Sequence, residues 1–323
     1  MASTPTEIDY ELLPFIRVYK DGTVERLMGS PYVPPSPCDS ETGVSSKDII
    51  ILHNPKISAR LLLPQTLAAE KNVRSRKLPV LIYFHGGSFC FESAFSSDHH
   101  RFLNRLVSKA QIVVVSVEYR LAPEVSIPIC YQDCWDALQW VASHSANEDV
   151  AAASKEPWLL NYGDFGRVYI GGDSAGGNIV HNVAMKAGAE GLSVKLVGAF
   201  MSHTYFLGSK TLESEPKGDE FKNYTPYVVL GVLNPSTPGG IDSSMVNPTG
   251  PGAPILAGLG CSKLLVCVSS KDQLRDRGVW YHDLVKGSGF KGDVELFEVE
   301  GDIHAFLILS EAETPNVKKM INK

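Results

Sequence analysis

Nowhere do the 323 residues hold an apolar run near the roughly eighteen that carry a helix across a bilayer, so no membrane span is read. Basic residues are in the minority, 30 Lys and Arg against 36 Asp and Glu, and they form no block. The resulting charge of −6 argues against a nucleic-acid surface. The N-terminus, Met1 to Asp9, lacks both a basic region and an apolar one, so no secretory signal is read and a cytoplasmic protein is expected. Cysteine is sparse: Cys38, Cys90, Cys130, Cys134, Cys261 and Cys267 show no metal-type pairing. Cys130 and Cys134 stand four apart on a predicted helix and read as buried thiols. Gly171-Gly172-Asp173-Ser174-Ala175-Gly176 lacks the glycine spacing of a dinucleotide or phosphate loop. Internal repeats and low-complexity tracts are also missing. Neither a cofactor nor a metal is expected.

What is present is a large apolar fraction, 44%, enough for a substantial core in a chain whose length suits a single α/β unit. Residues 1 to about 45 are Pro-rich and irregular, with a short helical patch expected near Glu11 to Phe15, and are read as a cap that folds back. Strands are expected at Ser46–Ile51, Ser58–Leu63, Val80–Phe84 and Ile112–Val117. The last two are continuous Val- and Ile-rich runs of the kind found in parallel sheets covered on both faces. Ser97–Ala110 and Tyr131–Ser143 have helical period. Further strands are expected at Val194–Met201, Lys263–Val268 and Val294–Val299, and a helix at Asp276–Gly287. The stretch from Tyr205 to Ala257 is loopy and is read as contributing to the cap. Alternating strands and helices predict an α/β fold with a mostly parallel central sheet flanked by helices, residues 46–323 forming the catalytic domain.

The chemistry centres on Val168 to Val180. A short apolar strand runs into Gly172-Asp173-Ser174-Ala175-Gly176, and helix-compatible sequence follows. Strand, Gly-x-Ser-x-Gly turn and helix together are the grammar of the nucleophile elbow of an α/β-hydrolase, in which a strained turn pushes the serine hydroxyl over the sheet edge. Gly172 and Gly176 would remove side chains that otherwise clash there. Upstream, the strand Val80–Phe84 leads into His85-Gly86-Gly87-Ser88. The N–H groups of Gly86 and Gly87, with that of Ala175, are assigned to an oxyanion hole, because acyl transfer builds negative charge that rigid backbone donors stabilise. His85 is read as fixing that loop.

A general base and an orienting acid should follow the serine in the order Ser, acid, His. Asp272, in the loop after Lys263–Val268, is favoured over Asp276, which falls at the start of a helix where a carboxylate serves the helix dipole. His304, in the loop after the last strand, has the right place and order among the nine histidines. Phe89, Phe91 and Tyr205 are candidate substrate-lining residues, with core packing as the alternative for each. Three further groups get structural readings. The charged residues of Glu118-Tyr119-Arg120-Leu121-Ala122-Pro123-Glu124 are taken as an ion-pair lock. Asp173 is taken to hydrogen-bond around the elbow, and His99-His100 to be solvated or in contact with the cap.

Taken together, His85-Gly86-Gly87, Tyr119-Arg120-Leu121-Ala122-Pro123-Glu124, Gly172-Asp173-Ser174-Ala175-Gly176-Gly177-Asn178, Asp272 and Gly301-x-x-His304 resemble plant carboxylesterases of the hormone-sensitive-lipase group. Arg17 to Arg26 and Pro157-Trp158-Leu159 extend the resemblance over nearly the whole chain. It implies a serine esterase acting on a small-molecule ester, as monomer or homodimer, with no nucleic-acid or membrane partner. The same group includes 2-hydroxyisoflavanone dehydratases, alkaloid-forming cyclases and gibberellin receptors, so a lyase of plant specialised metabolism is the alternative and a hormone receptor a third reading. Ser174, where the dehydratases typically carry Thr, favours hydrolysis. His304, which the receptors have lost, argues against binding alone. Ser88 stands where esterases more often have a third glycine, and Ile303 where the group usually has an acidic residue.

Overall fold

A computed structural model describes residues 7–64, 77–145, 155–235 and 237–323. It opens with a small antiparallel sheet of β1 (Ile8–Leu12), β2 (Ile16–Tyr19) and β3 (Val24–Arg26). Here the expected helical patch near Glu11 to Phe15 is corrected to a hairpin. Leu12 and Ile16 pair across it and point into the core, while Glu11 and Arg17 pair outward and form an ion pair of 2.6 Å. Alternation of period two decides the matter, and Pro14 in the turn could not have donated to a helix.

The main sheet has eight strands. β4 (Val44–His53) and β5 (Lys56–Pro64) form an antiparallel edge. Next in sequence come β6 (Leu78–Phe84), α1 (Ser97–Ala110), β7 (Val113–Glu118), α2 (Ile127–Ser143), α3 (Pro157–Tyr162), β8 (Gly163–Asp173) and α4 (Ala175–Glu190). They are followed by β9 (Leu196–Ser202), α5 (Thr225–Leu233), β10 (Lys263–Ser269), α6 (Arg275–Gly287), β11 (Asp293–Val299), α7 (Phe306–Leu309) and α8 (Pro315–Ile321). The spatial order is β11-β10-β9-β8-β6-β7-β5-β4, parallel from β11 to β7.

Successive side chains of the inner strands serve opposite faces. Val80, Ile82 and Phe84 join the core under α2, α4 and α6, whereas Leu81 and Tyr83 join the one under α1, α7 and α8. That two-sided burial is why these strands carry almost no polar residue. It also gives the sheet its functional edge. β6 is flanked by β7 on one side and β8 on the other, so the chain leaves β6 in one direction and returns on the far side. The crevice between the carboxyl ends of β6 and β8 is therefore a topological switch point, where α/β sheets bind ligands.

In the stretch 205–257 one helix escaped the sequence reading. α5 is apolar nearly all round, Pro-Tyr-Val-Val-Leu-Gly-Val-Leu after Thr225, so no amphipathic period marked it. This segment is tied down by a buried ion pair. Arg277 of α6 donates from Nε and Nη2 to the Glu215 carboxylate at 2.6 Å, and Nη2 also reaches the carbonyls of Gly208 and Lys210. Breaking a pair this deep by removing one partner strands a charge, at about 3–5 kcal/mol.

The approach that shapes the serine turn is between α4 and the end of β6. A Cβ added to Gly176 would stand 2.0 Å from the Phe84 carbonyl oxygen, and one on Gly172 would meet the Gly176 carbonyl at 2.5 Å. We predict that Gly176→Ala lowers the urea-unfolding free energy by about 1–3 kcal/mol, as overpacking does. In Gly191→Ala nothing lies within 4 Å of the new Cβ and only the positive φ of 81° opposes it, so the loss should be the smaller of the two.

Candidate active site

At the end of β8 the backbone of Ser174 turns to φ 51° and ψ −116°, a strained conformation that a non-glycine residue holds only when its surroundings force it. The forcing contacts are visible. Ser174 N–H donates to the Ser202 carbonyl at 2.8 Å, and its carbonyl accepts from Asn178 N–H at 3.2 Å and Tyr205 N–H at 3.1 Å. The side chain is thereby aimed at the loop after β11.

There His304 Nε2 lies 2.9 Å from Ser174 Oγ, and Nδ1 of the same ring lies 2.9 Å from Asp272 Oδ1. Asp272 Oδ1 also accepts from Leu274 N–H at 2.9 Å. Burial would push the Asp272 carboxyl up. The hydrogen bond and charge of His304, with the Leu274 N–H, outweigh it and hold the group below the usual carboxylate range. Asp272 is therefore an anion at neutral pH, suited to keeping the proton of His304 on Nδ1 and leaving Nε2 to accept from the serine. Asp276 plays no part in this chain, sitting in the first turn of α6 with an ion pair to Arg275 at 2.6 Å. Beside His304 stands a histidine that sequence reasoning passed over. His203, at φ 52°, packs edge-on against the His304 ring at 5.6 Å, its own nitrogens held by Ser202 Oγ at 2.8 Å and Ser269 Oγ at 2.7 Å.

The loop after β6 requires a correction. Gly86 N–H donates to Asp173 Oδ1 at 2.9 Å and so is not available to a substrate oxygen. Asp173 presses so closely that a Cβ on Gly86 would meet its Oδ2 at 2.3 Å. Gly87, at φ 101°, likewise has no room, since its Cβ would strike the Phe91 carbonyl at 2.1 Å. Ser88 and Phe89 follow at φ 52° and 64°. Among the described residues, the N–H groups of Gly87, Ser88 and Ala175 meet no acceptor. His85 is fully buried, with Nδ1 2.7 Å from the Gly86 carbonyl and its ring stacked on Tyr119 at 4.2 Å.

Two of the expected lining residues are core. Phe89 and Tyr205 are 1% and 2% exposed, packed edge-to-face at 5.6 Å, and Phe89 meets Tyr131 in the same way. Tyr205 also donates its hydroxyl to the Pro226 carbonyl. Phe91 is half-buried and stacks on Phe15 of the N-terminal hairpin at 5.6 Å. The charged residues after β7 do not pair with one another. Arg120 makes a bidentate bond to the buried Asp133, Glu124 pairs with Arg26 of β3, and Glu118 accepts from Ser93 Oγ and Ala94 N–H. His99 is corrected too: it is buried, 1% exposed, against Asp173 and Glu92. A cleft of about 870 Å³ lies apart from all this, between the sheet and α1 and α8, and neither Ser174, Asp272 nor His304 lines it.

Burial pushes the imidazoles of His203 and His181 down to about 4, reinforced for His203 by the neighbouring His304. Both are neutral in the folded protein at pH 6, while the unfolded chain takes up protons below about 6.5. Their stabilising contribution is therefore present above pH 6.5 and lost as pH falls toward 4. We predict that urea-unfolding free energy drops across this interval, and that His181→Gln flattens the drop by on the order of 2 kcal/mol.

Residues 81–308 match the family model described as the alpha/beta hydrolase fold. Over 99% of its length and 96% of the relative's, the chain is 53% identical to a 2-hydroxyisoflavanone dehydratase of Glycyrrhiza echinata. It is 43% identical to the catharanthine synthase of Catharanthus roseus, over 99% and 96%. Among solved structures, a hyperthermophilic esterase from Pyrobaculum calidifontis superposes with a TM-score of 0.66 at 28% identity, covering 85% of this chain and 80% of the other.

Proposed function

The chain belongs to the alpha/beta hydrolase fold family, and from that premise we propose that it is a serine carboxylesterase acting on a small-molecule carboxylic ester. The observation that carries this reading is the unbroken chain Ser174 Oγ, His304 Nε2, His304 Nδ1, Asp272 Oδ1, with both links at 2.9 Å.

In this mechanism the Ser174 hydroxyl attacks the acyl carbon while His304 Nε2 takes its proton. The resulting oxyanion is held by the N–H groups of Gly87, Ser88 and Ala175. Collapse expels the alkoxide, which receives the proton from His304, and the acyl group stays on Ser174. Water then attacks, giving a proton to His304, and the carboxylic acid leaves as the serine recovers its hydrogen. Asp272 holds the imidazole and stabilises its cation. The half-buried Phe91, with Phe15 from the N-terminal hairpin, contributes to the pocket wall. The two residues hold the hairpin over the loop after β6.

A second reading is supported by the relatives. The dehydratase at 53% identity and the catharanthine synthase point to elimination or cyclisation of a specialised metabolite in the same pocket, with His304 as the base. No ester need be cleaved in that case. Ser174, where the dehydratases typically have Thr, favours hydrolysis.

A p-nitrophenyl ester series from acetate to octanoate, assayed alongside 2-hydroxyisoflavanone, separates the two. We predict saturable ester hydrolysis that falls by about 10⁴-fold or more in Ser174→Ala and in His304→Ala. A folded wild type that hydrolyses none of the esters and dehydrates the isoflavanone would replace the esterase reading with the second.

A further inference from the structure

Behind the loop after β6 lies a buried chain of ionisable groups that the mechanism above does not use. At its centre Asp173 Oδ1 accepts three bonds, from Tyr83 Oη at 2.5 Å, Gly86 N–H at 2.9 Å and His99 Nε2 at 3.2 Å. The other ring nitrogen of His99 makes an ion-pair contact of 3.4 Å with Glu92 Oε2. Glu92 in turn accepts from Ser30 N–H at 2.8 Å and Ser30 Oγ at 3.2 Å, which joins the chain to the segment after β3. Asp173 is next to the nucleophile in sequence, and Gly86 precedes the proposed oxyanion donors. One carboxylate thus connects the two loops whose separation sets where the oxyanion forms.

We propose that His99 is a positioning residue of the reaction: seated between Asp173 and Glu92, it fixes the Asp173 carboxylate on Gly86 N–H and so holds the Gly87 and Ser88 N–H groups in place over Ser174. The proposal rests on the hydrolase reading above.

An unpaired carboxylate at the burial of Asp173, 4% exposed, would protonate or turn toward water, and either change would release Gly86. The flanking charges argue that it does neither. Burial alone would push the His99 imidazole down, yet Asp173 and Glu92 together hold it up at about 9. Burial would likewise raise the Asp173 carboxyl, and His99 with Tyr83 keeps it low. The remaining ionisable ring facing His99, that of His85 at 5.6 Å, is pushed down to about 4 by burial and by His99 itself, so it stays neutral. Glu118 lies nearby with its carboxyl raised, chiefly by burial. A cation between two anions results, and the Gly86 peptide is bonded to one of them.

The test combines two measurements. In ¹⁵N spectra of the full chain at pH 7.5, the His99 ring should carry protons on both nitrogens, and the Gly86 amide resonance should move in His99→Gln. In p-nitrophenyl acetate hydrolysis, counted per serine titrated by a phosphonate, His99→Gln should lose about ten- to a hundredfold in kcat with KM within threefold of wild type. Glu92→Gln, which leaves the Asp173 contact intact, should lose less. A merely structural role would lower the titratable fraction and leave kcat per titrated serine unchanged. The proposal is overturned by a singly protonated His99 ring, by an unmoved Gly86 amide in folded His99→Gln, or by kcat within twofold of wild type. Should His99→Gln fail to fold, the wild-type ring spectrum and Glu92→Gln still decide it. Absence of ester turnover in the wild type would fail the hydrolase reading alone, because the two spectra do not depend on turnover.

Discussion

The contact on which the site depends is the one between the carboxyl end of β6 and the first turn of α4. Gly176 lies directly under the Phe84 carbonyl, with Gly172 against the Gly176 backbone, and no side chain could stand between them. That closeness lets β8 turn abruptly into α4, and it forces Ser174 into its strained turn with the hydroxyl outward. It also sets the loop after β6 beside Ser174. The strain at φ 51° is small beside the burial of two cores, and those cores keep it from relaxing.

Given that geometry, the other parts need only be delivered to one sheet edge, and parallel topology does so. Ser174 follows β8, Asp272 follows β10 and His304 follows β11, three loops at the same end of the sheet. Charge does the remaining work. Asp272 and Asp173 are buried carboxylates held ionised by a histidine each, one bonded to His304 and the other to the Gly86 N–H after β6. The two histidines differ in their surroundings. His304 touches one carboxylate and the serine, while His99 is enclosed between two carboxylates.

Much of this was legible because the informative residues are contiguous. The Gly-x-Ser-x-Gly turn, the His-Gly-Gly loop and the order Ser, Asp, His are local or ordinal features, and the inner strands announce themselves by unbroken apolar runs. Other features depend on partners that only the fold supplies. Nothing near Gly86 says that its N–H is taken by Asp173, 87 positions on, and the oxyanion donors proposed from that loop are therefore Gly87 and Ser88. His99 looks like half of a solvated pair until Glu92 and Asp173 close on it from two other segments. For Phe89 and Tyr205 the sequence leaves pocket lining and core packing both open, and the fold decides for the core, where their rings cluster with Tyr131. The hairpin of β1 and β2 was hidden by its brevity and by a polar alternation too short to outweigh an irregular neighbourhood.

In the proposed reaction Ser174 becomes covalently acylated. Acid-quenching the protein within the first turnover of p-nitrophenyl acetate, followed by peptide mass spectrometry, tests it most directly. One acetyl group is expected on the peptide carrying Ser174, accumulating in His304→Ala no faster than in buffer. Ester turnover with no acyl group on Ser174, or with the label on another side chain, would contradict it.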